Sequence, residues 1–279
     1  MRLPPVSFAL DTMRDINIAQ VTEQVKQLAK TTGDFIREQR KSFRAESVER
    51  KRPHDYVSYV DKQSERLITQ RLMQIIPEAG FITEEQTVEQ NTDGKEYCWV
   101  VDPLDGTTNF ISDVPLYCVC IALKHWDEII IGVVYEVTRD ELFWAYKTGG
   151  AWLGEHPIRV STNQFDDALI ALGYPYNAKD FTRFAQNVTD KLYGNVASIR
   201  SLGSAEGELC YVASGRLDVY VESFLKPWDV AAGAIILQEA GGVITDYDNT
   251  DRLWKSGRQV LATNGIVHQK MIDIIKSIL

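Results

Sequence analysis

Apolar positions fall into different rhythms in the two halves of the chain. Residues 16–40 set Val21, Val25, Leu28, Phe35 and Ile36 near one face at helical spacing, with charged residues elsewhere. A second helix is predicted over 61–76, through Leu67, Ile68, Leu72 and Ile75 to a stop at Pro77. Residues 80–83 and 97–101 read as short strands that end in acids. Three strand-like runs follow at 116–124, 128–137 and 141–147. Tight turns at Trp126-Asp127 and Thr138-Arg139-Asp140 join them, which predicts an antiparallel meander.

After Gly149-Gly150 the pattern changes. Strand candidates at 168–172, 197–200, 217–222, 243–245 and 259–263 lie among helical stretches at about 180–193, 204–214, 229–240 and 266–278. An antiparallel first half and an alternating second half predict an α/β (α+β) protein. Two sub-domains, 1–150 and 151–279, are expected to meet near residues 150–160. The length of 279 residues agrees, because single cores stop growing at roughly 250–300 residues. No internal repeat or low-complexity segment is visible.

Hydrophobic and charged fractions of 44% and 25% are ordinary for a soluble globular protein. The net charge of −9 and a pI near 5.1 argue against a nucleic-acid ligand, which would call for clustered Lys and Arg. The longest basic run, Arg50-Lys51-Arg52, reads as a solvated loop face that could lend one cation to an anionic substrate. Cys98, Cys118, Cys120 and Cys210 form no C-x-x-C pair and no zinc spacing. Cys118 and Cys120 alternate along a strand and read as small buried hydrophobes. The opening residues 1–15 carry only a short apolar run broken by prolines, and no apolar stretch reaches ~18 residues. A reducing, cytoplasmic compartment and no membrane partner are the expectation.

The chemistry concentrates in Trp99–Phe110, WVVDPLDGTTNF. Asp, Pro and Gly in this order suit a plain turn. Two further acids alter that reading, for Thr83-Glu84-Glu85 follows one strand and Trp228-Asp229 opens a helix after another. Singly, Glu84-Glu85 could be an exposed loop pair and Asp229 a helix N-cap. Together they bring carboxylates from three strand ends with few basic residues nearby. Such groups repel unless a cation sits among them, and hard oxygen ligands suit Mg2+. Pro103 blocks a continuous helix, so Asp102 and Asp105 can converge. Gly106-Thr107-Thr108 would then open a short helix and offer backbone N–H groups to a phosphate.

TEE, DPLDGTTNF and WDVAAGAIILQEAGG, in that order and spacing, resemble the inositol monophosphatase family of Mg2+-dependent, lithium-sensitive phosphatases. DYVSYVDKQSE around Asp61, GVVYEV in the meander and IRSLGSAEGELCYVASGRLDVYVE extend the resemblance over about residues 15–278. Two departures stand out. Thr83 replaces a usual Gly before the Glu pair, and Glu206-Gly207 replaces small apolar residues on the substrate side.

The resemblance implies a layered α-β-α-β-α architecture, a homodimer and two or three Mg2+ ions. Glu84, Asp102 and the Leu104 carbonyl would hold the first ion. Asp102, Asp105 and Asp229 would hold the second, and two ions ~4 Å apart can clamp an in-line displacement. Glu84 and Thr107 would orient the attacking water, with the Thr107 hydroxyl held by Asp61. The N–H groups of Gly106 and Thr107 would bind phosphate oxygens, and Ala205, Glu222 and Asp105 would face substrate hydroxyls. The implied activity is hydrolysis of inositol monophosphate or another small sugar or polyol phosphate. An adenosine 3′,5′-bisphosphate nucleotidase, a fructose-1,6-bisphosphatase or a histidinol-phosphatase would share the metal site. A catalytically silent metal-binding module is a more distant alternative. Residues 246–251 begin like an EF-hand loop, but Asp251 occupies the required Gly position, so a surface turn is expected.

Overall fold

A computed structural model describes residues 16–44, 48–52, 55–174, 182–251 and 259–279. Helix α1 (Ile18–Ser42) starts at Asn17, whose side chain accepts from the Gln20 N–H and so satisfies one orphan donor of the first turn. Its apolar face buries Val21, Val25, Leu28, Ala29 and Ile36. A hairpin of β1 (Val48–Arg52) and β2 (Asp55–Ser58) leads into helix α2 (Tyr59–Ile75). Ser58 and Asp61 form a capping box at the start of α2.

The first sheet has seven strands in chain order. They are β3 (Gly80–Thr83), β4 (Tyr97–Asp105), β5 (Cys118–His125), β6 (Glu128–Glu136), β7 (Glu141–Tyr146), β8 (Ala151–Leu153) and β9 (His156–Pro157). All neighbours are antiparallel except β3 and β4, which run parallel. The six-residue helix α3 (Thr107–Ser112) follows β4 directly.

The second sheet has five strands and is mixed. Strands β10 (Leu169–Leu172), β11 (Ser198–Arg200) and β12 (Val219–Ser223) are parallel, while β13 (Val243–Thr245) and β14 (Gln259–Thr263) extend it antiparallel. The remaining helices are α4 (Thr182–Leu192), α5 (Ala205–Ala213), α6 (Ala231–Glu239) and α7 (His268–Lys276).

Three apolar clusters define the layers. One joins α1 and α2 to one face of the first sheet, through Val25, Ile36, Ile68, Trp99, Ile121 and Tyr135. Another fills the space between the sheets, where Cys118, Cys120, Phe143 and Tyr220 meet Leu209, Ile235 and Ile236 of α5 and α6. The last packs α4 and α7 on the outer face of the second sheet, with Val219 and Val221 against Phe184 and Met271. Tyr220 and its neighbours Val219 and Val221 thus face opposite layers, as strand alternation requires. The α-β-α-β-α order implied by the family resemblance is the order found. Helices α5 and α6 are apolar nearly all round because both of their sides are covered.

Several expectations change. Strands β1, β2, β8 and β9 were not anticipated, and Arg50-Lys51-Arg52 belongs to β1 rather than a loop. Strand β4 continues through Pro103 to Asp105 instead of ending at Val101. Residues 1–15, positions 180–181 of the fourth expected helix and the side chains of Arg50, Lys51 and Arg52 lie outside the described residues. Residues 246–250 form a turn closed by Asp246, which accepts from the N–H groups of Asp248 and Thr250 and from the Thr250 hydroxyl. Among the described residues, no helix is long and apolar enough to cross a membrane.

Candidate active site

The register of β4 explains the two aspartates. Asp102 lies opposite Cys120 and Asp105 opposite Cys118, so three steps along β4 match two along β5. This is a bulge, and it absorbs Pro103, a residue that sheets tolerate at such positions. In a regular strand, residues three apart point to opposite faces. Here the extra residue returns Asp105 to the face of Asp102, the one toward α5 and the second sheet.

Asp105 is buried and held from α5. Its Oδ2 accepts from the Ser204 hydroxyl at 2.6 Å and the Glu206 N–H at 2.9 Å, and its Oδ1 from the Ala205 N–H at 3.2 Å. Asp102 Oδ1 accepts from the Leu104 N–H at 2.9 Å. Gly106 then takes φ 90°, a left-handed backbone that glycine adopts without strain, and turns the chain into α3.

Thr107, at the start of α3, places its hydroxyl 2.9 Å from Asp61 Oδ1 and 3.0 Å from the Leu104 carbonyl. Asp61 is fully buried, and its Oδ2 also accepts from the Ser58 N–H and hydroxyl at 2.8 and 2.7 Å. Burial raises the Asp61 pKa, and the hydrogen bonds from Ser58 and Thr107 oppose the rise. The capping residue of α2 is thereby also the acceptor for Thr107.

Glu84 follows β3, its N–H donating to the Val101 carbonyl at 3.2 Å. The loop behind it is fixed by Glu65, a fully buried carboxylate one helical turn beyond Asp61. Glu65 accepts from the Glu85 N–H at 2.7 Å and from the Thr87 N–H and hydroxyl at 2.6 and 2.8 Å. These bonds hold Gln86 between them at φ 51°, a left-handed conformation unfavourable for a residue with a side chain. Thr83, the departure before the Glu pair, exchanges hydrogen bonds with Gln90 and closes the same loop.

Asp229 does not open a helix. It ends a 3-10 turn, Pro227–Asp229, and the N-cap of α6 is Val230, whose side chain makes no capping bond. Asp229 Oδ2 instead accepts from the Lys226 N–H at 2.6 Å.

The carboxylates perturb one another. Burial comes first in pushing Asp102 well above the usual range, followed by repulsion from Glu84, Asp105 and Asp229. Asp229 is likewise pushed well up by burial, then by Glu84, Asp105 and Glu222. Burial raises Asp105 too, against the bonds from Ser204 and Glu206. For Asp102 and Asp229 the leading influences are burial and the neighbouring carboxylates, and for Asp105 burial and the hydrogen bonds from α5; none is a basic side chain. An all-oxygen set of this kind fits a hard divalent cation. Among the described residues, no three His, Cys, Asp or Glu side chains are already drawn to metal-ligand spacing. A backbone donor engages one oxygen of Asp102 and one of Asp229, so each has a second oxygen to offer.

The expected substrate side is more mixed. Glu222 is half-buried, receives a short hydrogen bond from the Tyr220 hydroxyl, and is pushed up to about 7 by burial. Ala205 contributes its N–H to Asp105. The Glu206 carboxylate binds the first turn of α6. Asn109 ties α3 to the segments before β5 and after β11, through the Leu116 carbonyl at 2.8 Å and the Leu202 carbonyl at 2.7 Å.

The inositol monophosphatase family model matches residues 17–279 of this chain. The chain belongs to the inositol monophosphatase family. It is a phosphatase of small phosphorylated substrates, in a family that is generally metal-dependent. Among curated relatives, the inositol-1-monophosphatase of Rhizobium meliloti (strain 1021) is 36% identical over 270 residues, covering 96% of this chain and 98% of that protein. Nus factor SuhB of Escherichia coli (strain K12) is 36% identical over 247 residues, covering 88% and 92%. The crystal structure of extragenic suppressor protein suhB from Bartonella henselae superposes with a TM-score of 0.87 at 32% identity, covering 93% of this chain and 100% of that one.

Glu65, Ser204 and Glu206 had no role in the sequence reading. Their partners lie 20 to 101 positions away, and no spacing announces them. The one available signal was the pair Glu206 and Glu208, two acids inside a helical stretch whose other residues are almost all apolar or small.

Proposed function

We propose that the protein is a Mg2+-dependent phosphomonoesterase acting on inositol monophosphate or a related small sugar or polyol phosphate. The observation that supports this reading is that Glu84, Asp105 and Asp229 all lie near enough to repel Asp102, beside the Thr107–Asp61 pair and the Gly106 turn. Glu84, Asp102, Asp105, Asp229 and the Leu104 carbonyl would hold the ions. Bound Mg2+ would neutralise carboxylate and phosphoryl charge and lower the pKa of water.

The chain's own residues supply position. Thr107 has a single hydroxyl proton, and Asp61 and the Leu104 carbonyl both compete for it, so its Oγ is left to accept from water. Glu84 orients the same water from the β3 side. The N–H groups of Gly106 and Thr107 bind phosphate oxygens. Glu222 and Asp105 face the hydroxyls of the alcohol, with Ala205 beside them. We place the metal and phosphate groups in the 1–150 half and Asp229 with the substrate contacts in 151–279. The homodimer and lithium sensitivity follow the family resemblance, and the cytoplasmic location follows the cysteine usage, with all four described cysteines free thiols.

Phosphate release with Mg2+ across inositol 1-phosphate, fructose 1,6-bisphosphate, histidinol phosphate and adenosine 3′,5′-bisphosphate tests the substrate. Inositol 1-phosphate is expected to give the highest kcat/KM. A higher value for the adenosine bisphosphate would transfer the protein to the nucleotidases.

A further inference from the structure

We propose that Glu206 is a positioning residue that fixes Asp105 relative to Asp229 and so sets the affinity of the site for its divalent cation. The inference rests on the reading of those two aspartates as cation ligands given above.

Glu206 is fully buried between α5 and α6. Its carboxylate oxygens accept from the Ala232 N–H at 3.0 Å and, in a short bond, from the Gly233 N–H. These are first-turn donors of α6, and Val230 gives that helix no side-chain cap. A residue of α5 therefore does the capping from across the interface.

The same residue reaches the other ligand through its backbone. The Glu206 N–H donates to Asp105 Oδ2 at 2.9 Å. Asp229 stands at the end of the turn that runs straight into α6. One residue thus connects the β4 aspartate to the helix that carries the other aspartate. Space for this clamp is provided at two glycines. A Cβ on Gly233 would lie 2.5 Å from Glu206 Oε2, and one on Gly132 of β6 would lie 2.4 Å from the Ala232 carbonyl oxygen. The first turn of α6 is therefore held from both sides.

This assignment gives the Glu206 departure a function. Small apolar residues at this position would leave the two α6 donors without the acceptor and remove a carboxylate from beside the ligands. Supporting groups around a metal site typically alter affinity by about 10–100-fold when removed.

The test is calorimetric titration of chelator-stripped wild-type, Glu206→Gln and Glu206→Ala proteins with Mg2+, together with their thermal midpoints in the stripped state. The expected result is a Kd for Mg2+ about 10–100-fold weaker in both variants. At saturating Mg2+, KM for inositol 1-phosphate should stay near wild type. A lower thermal midpoint with an unchanged Mg2+ Kd would mean that Glu206 only supports the fold, and would overturn the proposal. If both variants fail to fold, Glu206→Asp decides the same measurement, because it keeps the carboxyl group but is one methylene too short to span to both α6 donors. Wild-type protein that binds no Mg2+ would overturn the reading of the site itself, and the role of Glu206 with it.

Discussion

The Thr107 hydroxyl lies 2.9 Å from Asp61 Oδ1, joining the start of α3 to the capping residue of α2. With the Leu104 carbonyl 3.0 Å away on the same hydroxyl, both neighbours are acceptors, so the single proton is committed to them and the Oγ lone pairs are left for another donor. Thr107→Ala removes this hydroxyl but leaves the backbone N–H and every proposed ligand carboxylate. The expected outcome is a fall in kcat of ~10²–10⁴-fold, the usual worth of a positioned proton-transfer group. KM and the Mg2+ requirement should change little. Steady-state kinetics at several Mg2+ concentrations measure this, and a wild-type kcat would remove Thr107 from the mechanism.

Asp229→Asn separates a ligand from a structural turn. Asn caps and turns about as well as Asp, so a purely structural role predicts little change. As a cation ligand, Asp229 cannot be replaced by a neutral amide without loss. The Mg2+ concentration for half-maximal activity should rise, with the protein still folded. Unchanged Mg2+ dependence would reject the ligand role.

Glu65 illustrates what the sequence left hidden. Its match within DYVSYVDKQSE carried no role, yet its carboxylate engages three donors of the loop behind Glu84. Glu65→Gln should destabilise the protein by about 1–3 kcal/mol, because the donors of the loop engage both carboxyl oxygens and an amide offers only one acceptor. Urea denaturation measures the loss, and amide exchange at Glu85 and Thr87 should quicken. Equal stability and unchanged exchange would contradict the clamp.

What was legible depended on whether a signal was local. The helical spacing of Val21, Val25 and Leu28 and the alternation of Cys118 and Cys120 announced their elements, because period is a property of neighbouring residues. DPLDGT announced an irregularity, and the structure makes it a bulge within β4 rather than the end of the strand. The acceptor duties of Glu65 and Glu206 were invisible, since each depends on pairing across the fold. The sequence pattern places Asp229 at a helix start, whereas Pro227 begins a 3-10 turn that ends at Asp229 and passes through Val230 into α6. Strands of two to five residues, such as β1, β8 and β9, were too short to show any period.

The buried acids also fix a pH dependence. Burial pushes Glu208 to about 8 and Glu222 to about 7, both above the ordinary 4.5. The folded protein therefore keeps protons that the unfolded chain gives up. Their contribution to stability is full below about pH 4.5 and is lost as the pH rises through 7 and 8. Each retained proton adds a slope of up to about 1.4 kcal/mol per pH unit across that window. Chelator-stripped protein should show a thermal midpoint that falls from pH 5.5 to pH 8, and Glu208→Gln should flatten the fall. A midpoint that rose over this range would refute the assignment.

The central claim is that these carboxylates work only around a divalent cation. The most direct measurement is phosphate release from inositol 1-phosphate by one preparation before chelation, in excess EDTA, and after Mg2+ is returned. The expected result is loss of turnover in EDTA and recovery with Mg2+, with millimolar lithium inhibiting the recovered activity. Full turnover in excess EDTA would contradict the account.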